Sequence, residues 1–89
     1  MGLRFYLGWA QRLLGEVTRQ SDPTPEGEAR AAAHFQRGID LLREIGAENE
    51  LALAHAGYGR LCDQRGRTGE AGEHLGRAME IFERLGTHV

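Results

Sequence analysis

The sequence predicts an all-α fold: two helix-turn-helix units, four antiparallel helices stacked as a short α-solenoid. Three observations predict it. One phrase is written twice, as "HFQRGIDLLREIG" from His34 to Gly46 and "HLGRAMEIFERLG" from His74 to Gly86, forty residues apart. Gly46, Gly66 and Gly86 each follow a helical pattern, where glycine can take the left-handed turn that ends a helix. No stretch alternates apolar and polar residues with the period of two that a half-buried strand requires.

The elements follow in order. Helix one is expected over roughly 2–18, with Leu3, Tyr6, Leu7, Ala10, Leu13, Leu14 and Val17 as its core stripe. The stretch "VTRQSDPTPEGE", with Pro23 and Pro25, reads as a loop insertion over about 19–25. Helix two is expected over roughly 25–45. It opens on a capping hydroxyl at Thr24, a proline with φ already set at Pro25 and an acid at Glu26. Its apolar residues (Ala31, Phe35, Gly38, Ile39, Leu41, Leu42, Ile45) cover an arc of about 160°, wide enough to be wedged between two neighbours. Helix three, roughly 50–65, starts at Asn49 with Glu50 behind it, and helix four, roughly 69–85, starts at Thr68 with Glu70.

At an offset of 40, His34, Arg37 and Gly46 recur as His74, Arg77 and Gly86. Phe35, Ile39, Leu41, Leu42 and Ile45 meet Leu75, Met79, Ile81, Phe82 and Leu85, apolar for apolar. Repeated units that pack alike keep apolar positions while their surfaces drift. The preceding helices align as Tyr6–Gly15 with Gly57–Gly66, which pairs Gly8 with Gly59 and Gly15 with Gly66 and leaves unit one about eleven residues longer. The whole, 1–89, is then one domain, with repeat one over 2–46 and repeat two over 50–86.

Leu7-Gly8 and Tyr58-Gly59 on the first helices, with Ala31-x-x-x-Phe35 and Ala71-x-x-x-Leu75 on the second, resemble the tetratricopeptide repeat. Small residues at Gly38 and Ala78 let paired helices approach closely. The chain departs from that family at Gln11 and Cys62, which stand in place of tyrosine, and in lacking the closing proline. Its longer second helices resemble repeats of bacterial regulatory proteins. The resemblance implies a protein-binding scaffold whose first helices line a concave surface. On it Phe5, Trp9, Arg12, Arg60, Asp63 and Gln64 would face a peptide or partner. Chaperone-binding members clamp a terminal carboxylate with lysines and asparagines. This chain has no lysine and one asparagine, Asn49, so that ligand is not expected.

Helix four carries the same wide apolar arc as helix two, yet no third unit follows it in the sequence. Each large side chain left in water forgoes roughly 1.5–3 kcal/mol, against a total domain stability of about 5–15 kcal/mol. Two readings follow: another copy or a partner covers this edge, or the chain is a piece of a longer array. A homo-oligomer, a dimer, is the first expectation, with His74, Ala78, Ile81, Phe82 and Leu85 as its face.

Little else in the chain suggests chemistry. Cys62 is the only cysteine and can form no internal disulfide, which suits a reducing, cytoplasmic setting. His55 lies seven residues from it, about 10 Å of helix rise, too far for a nucleophile and its base. No metal or cofactor is expected. A net charge of −2 is no footprint for nucleic acid, and no apolar run approaches a membrane span. The sequence therefore predicts a self-associating protein–protein interaction module and no enzyme. The alternative is a regulatory or sensor segment of a larger bacterial signalling protein, of the ATPase or transcription-activator type.

Overall fold

The computed structural model describes residues 2–86 and is entirely helical over them. Four helices occur: α1 Leu3–Ser21, α2 Pro25–Glu44, α3 Glu48–Gln64 and α4 Thr68–Arg84. Gly8 lies under Leu42 and Gly15 under Phe35, so α1 and α2 run antiparallel. Gly59 lies under Leu75, while Ala52 meets Ala78 and Ile81, so α3 and α4 form a second antiparallel hairpin. α3 also packs on α2 and beside α1, whereas among the described residues α4 packs on α3 alone.

The helix stops follow the sequence. Gly46, Gly66 and Gly86 have φ of 70°, 76° and 72°, a left-handed conformation that a side chain disfavours. The N–H of Gly46 donates to the Arg43 carbonyl and that of Ala47 to Leu42, so carbonyls left over at the end of α2 are satisfied. Gly66 and Arg67 repeat this on Asp63 and Cys62.

The starts are less faithful to it. Thr24 caps α2, its Oγ1 accepting from the Gly27 N–H at 3.1 Å. Asn49 and Thr68 cap nothing: α3 begins at Glu48 behind Ala47, and α4 begins at Thr68 itself. The expected loop over 19–25 shrinks to Asp22–Thr24. Upstream of itself a proline restricts the residue directly before it, so helix can run to Ser21 before Asp22 turns away ahead of Pro23. The turn is held by Asp22 Oδ1, which accepts from the Thr24 hydroxyl at 2.6 Å, and by an Asp22–Arg30 ion pair.

Contacts within the two hairpins correspond, at a register that differs from the sequence alignment. Gln11 bonds to His34 in the first hairpin, and His55 to His74 in the second. Arg4 pairs with Glu44 in the first, and Glu48 with Arg84, charges exchanged, in the second. Gly15 takes Phe35 as Gly59 takes Leu75. The offset is therefore 44 residues from α1 to α3 and 40 from α2 to α4, and Gly15 corresponds to Gly59, not Gly66. The first hairpin is longer by 44 − 40 = 4 residues rather than about eleven, and the extra length is helix at the α1–α2 corner.

The core sits where α1, α2 and α3 meet. Phe35 and Ile39 of α2 are buried with Leu42, against Leu61 and Ala54 of α3. The Phe35 ring lies between Gly15 of α1 and Gly57 of α3, with Tyr58 stacked at a centroid distance of 6.0 Å. A second, smaller cluster joins Ala52 of α3 to Ala78 and Ile81 of α4.

Candidate functional site

Five of the seven residues expected to form the core of α1 lie on its outside, and Ala10 and Leu13 are half-buried. Leu3 is 74% exposed, Tyr6 62% and Val17 61%, and Leu7 and Leu14 are nearly half exposed. Leu3, Leu7, Ala10, Leu14 and Val17 follow one another at spacings of 4, 3, 4 and 3, a continuous stripe along one face. The inner face of α1 is built instead from Phe5, Gly8, Arg12 and Gly15. A Cβ at Gly8 would stand 2.7 Å from Leu42 Cγ, and one at Gly15 2.9 Å from the Phe35 ring. Only glycine backbone lets α1 come this near α2. A face of glycines carries little hydropathy, so periodicity selects the wrong side.

The outer edge of α4 is also open, though not where the sequence placed it. Of the expected oligomer face His74, Ala78, Ile81, Phe82 and Leu85, Ala78 and Ile81 are buried against α3. Phe82 is half-buried on the same cluster, and His74 is half-buried against α3. Leu85 alone of the five is exposed. The apolar side chains that face outward are Leu75, Met79, which is 61% exposed, and Leu85. Beside them a shallow depression of about 380 Å³ is lined by Gly72, Glu73, Gly76, Arg77 and Glu80.

The expected peptide surface on the first helices divides. Phe5 is half-buried against Ile39 and Leu42, so it is a core residue. Trp9, at 41% exposed, does face outward. Arg12 is mostly buried, with Nε donating to Glu50 at 2.8 Å, which ties α1 to α3. Arg60 reaches back to Glu16 at 3.3 Å, and Glu16 also holds Arg19. Burial raises the Glu16 carboxyl, but Arg19 and Arg60 together outweigh it and hold the group below the usual carboxylate range. Gln64 bonds to Glu28 and receives Arg19, while Asp63 is exposed. Most polar groups of this surface are thus engaged within the chain.

One pair was not visible in the sequence. His55 and His74 share a hydrogen bond between their Nδ1 atoms at 3.0 Å, so one ring donates and the other accepts. Tyr58 stacks on His74 with centroids 4.3 Å apart. Desolvation, then the proximity of His74, Arg43 and Arg77, lowers the His55 pKa to about 4. Burial also lowers that of His74. The signal for this pair lies in the register, since His55 occupies the position that Gln11 occupies in the first hairpin.

Cys62 is buried, with its thiol 3.7 Å from Glu70. Burial raises its pKa and Glu70 adds to the effect, which disfavours the reactive thiolate. Among the described residues no three His, Cys, Asp or Glu side chains converge as a metal site requires, and no helix is long and apolar enough to cross a membrane. Compared with known proteins, the chain finds no counterpart: no family model, no curated protein and no solved structure matches it.

Proposed function

We propose that this chain is a protein–protein interaction module of the tetratricopeptide type, and that it associates with copies of itself. One observation carries the reading. Two apolar helix faces, Leu3–Tyr6–Leu7–Leu14–Val17 on α1 and Leu75–Met79–Leu85 on α4, stand open at the two outer helices. Eight large apolar side chains exposed on these two helices exceed the scattered exposure of an ordinary surface and support a role in association. The corresponding contacts of the two hairpins, 44 and 40 residues apart, support a stack of like units. The surface around Trp9 is secondary, because its charged neighbours already pair with one another.

Association that occurs only in the folded state stabilises it in proportion to the logarithm of concentration. The melting temperature should therefore rise steadily as protein concentration is raised from about 1 to 300 μM. A melting temperature constant across that range contradicts self-association.

A further inference from the structure

Several residues of the two open faces occupy the positions that form the α2–α3 contact within the chain. Inside the molecule α3 packs on α2 through Leu51, Ala54, Tyr58 and Leu61, which meet Phe35, Ile39 and Leu42. Subtract 44 from the α3 positions and the result is Leu7, Ala10, Leu14 and Val17, the outward stripe of α1. Add 40 to the α2 positions and the result is Leu75 and Met79, exposed on α4, and Phe82, half-buried at the edge of the α3–α4 cluster. The α2 residues are at most 1% exposed, whereas Leu75 and Met79 are 38% and 61% exposed. The difference is that α2 lies between two helices, α1 and α3, whereas among the described residues α4 packs on α3 alone.

We propose that α1 of one copy packs across α4 of the next, repeating between molecules the α3-on-α2 contact found within each. The association is then head to tail. Each copy uses two different faces, and the contact does not close at a dimer.

The polar rim agrees with this register. Within the chain Glu16 of α1 pairs with Arg60 of α3. At the intermolecular contact, Arg60 of the receiving copy takes the place of Glu16, and Glu16 of the incoming copy takes the place of Arg60. Opposite charges meet again, and Arg60, whose side chain is 53% exposed while bound to Glu16 of its own chain, would join a second carboxylate to that pair. The buried Arg12–Glu50 pair is replaced by Ala56 against Tyr6, so no charge is left stranded where that pair was, and the exposed Tyr6 ring is covered. Arg19 with Gln64 becomes Asp63 with Gln20, which can still hydrogen-bond.

This inference rests on the self-association reading, and a mixing experiment separates the two. Leu14→Glu blocks the α1 face and Met79→Glu blocks the α4 face. Both sites are exposed, so each variant should keep its helical circular dichroism and, at the lowest concentration, its melt. Should Leu14→Glu lower helicity, Val17→Glu addresses the same face at a more exposed position. Sedimentation equilibrium reads the result. Burying an unpaired carboxylate should weaken association about 100-fold or more, leaving each variant alone a monomer. Mixed in equal amounts, the variants should form a dimer and nothing larger, because one intact α1 face meets one intact α4 face. A variant that dimerises alone, or a mixture that stays monomeric while the wild type associates, overturns the head-to-tail contact. A wild type that never associates removes both this inference and the reading beneath it.

Discussion

Gly57→Ala should destabilise the protein, although alanine is the better helix former. In an open helix interior the exchange gains about 1 kcal/mol. At Gly57 the new Cβ would stand 2.6 Å from Phe35 Cε1 and 2.9 Å from Cζ. Carbon atoms pack at about 3.5–4.0 Å, so the ring or the helix must shift by roughly 1 Å. Phe35 is fully buried, and its other side rests on Gly15, where a Cβ would also come within 2.9 Å. Tyr58 stacks on it as well. The ring has nowhere to retreat. Overpacking costs about 1–3 kcal/mol, and a ring held on both faces places this case at the upper end, so crowding outweighs the propensity gain by about 1–2 kcal/mol. For a chain of this size 1 kcal/mol moves the melting temperature by about 4–8 °C. The control is Gly72→Ala, where nothing lies within 4 Å of the new Cβ and where the corresponding position of α2 already carries Ala32. Thermal melts at one low concentration should show Gly57→Ala falling by several degrees and Gly72→Ala rising by about 4–8 °C. If Gly57→Ala rises as Gly72→Ala does, Phe35 is not wedged between two helices and the three-helix core is misread.

Three further outcomes are expected. Phe5→Ala should lower stability by about 2–3 kcal/mol in denaturant titration, because Phe5 packs on Ile39 and Leu42, while Trp9→Ala stays within about 0.5 kcal/mol. Equal losses would place Trp9 in the core. Arg12→Ala should cost about 2–3 kcal/mol by leaving a mostly buried Glu50 without its partner, whereas Arg4→Ala, from an exposed pair with Glu44, should cost under about 1 kcal/mol. The His55–His74 pair should make folding acid-sensitive. His55 has an ordinary value of 6.5 and a folded value of about 4, so the unfolded chain binds its proton first as pH falls. The contribution is fully present above pH 6.5, is lost between 6.5 and about 4, and amounts to about 3 kcal/mol, with His74 acting in the same direction. A His55→Gln variant, which imitates Gln11 against His34, should lose much of that slope in denaturant titrations across this range.

The number of helices, the stops of α2, α3 and α4 and the start of α2 were legible because they depend on local chemistry. A glycine with positive φ closes α2, α3 and α4, and Thr24 opens α2, each through bonds to near neighbours. The burial of α1 was not legible, because hydropathy rewards Leu3, Leu7, Leu14 and Val17 and is blind to the glycines that define its inner face. The register of the hairpins failed for a related reason. Gly8 and Gly15 are seven residues apart, and so are Gly59 and Gly66, so matching glycine to glycine slips α1 by two turns against α3. The contacts match Gly8 with Ala52, both small, and Gly15 with Gly59. That slip also displaced the expected sites. Periodicity makes Phe5 a groove residue because it selects the wrong face of α1 as core, and it sets His55 beside Cys62 because it does not reveal Gln11 as the counterpart of His55.

The mass of the wild-type chain across concentration tests the central claim most directly. Static light scattering on samples from about 10 μM to 1 mM should give a weight-average mass that climbs past twice the 9.9 kDa of the chain without a plateau there, as an interface built from two different faces requires. A mass that levels off at twice that value, or never leaves it, contradicts the claim that the outer stripes of α1 and α4 are halves of one contact.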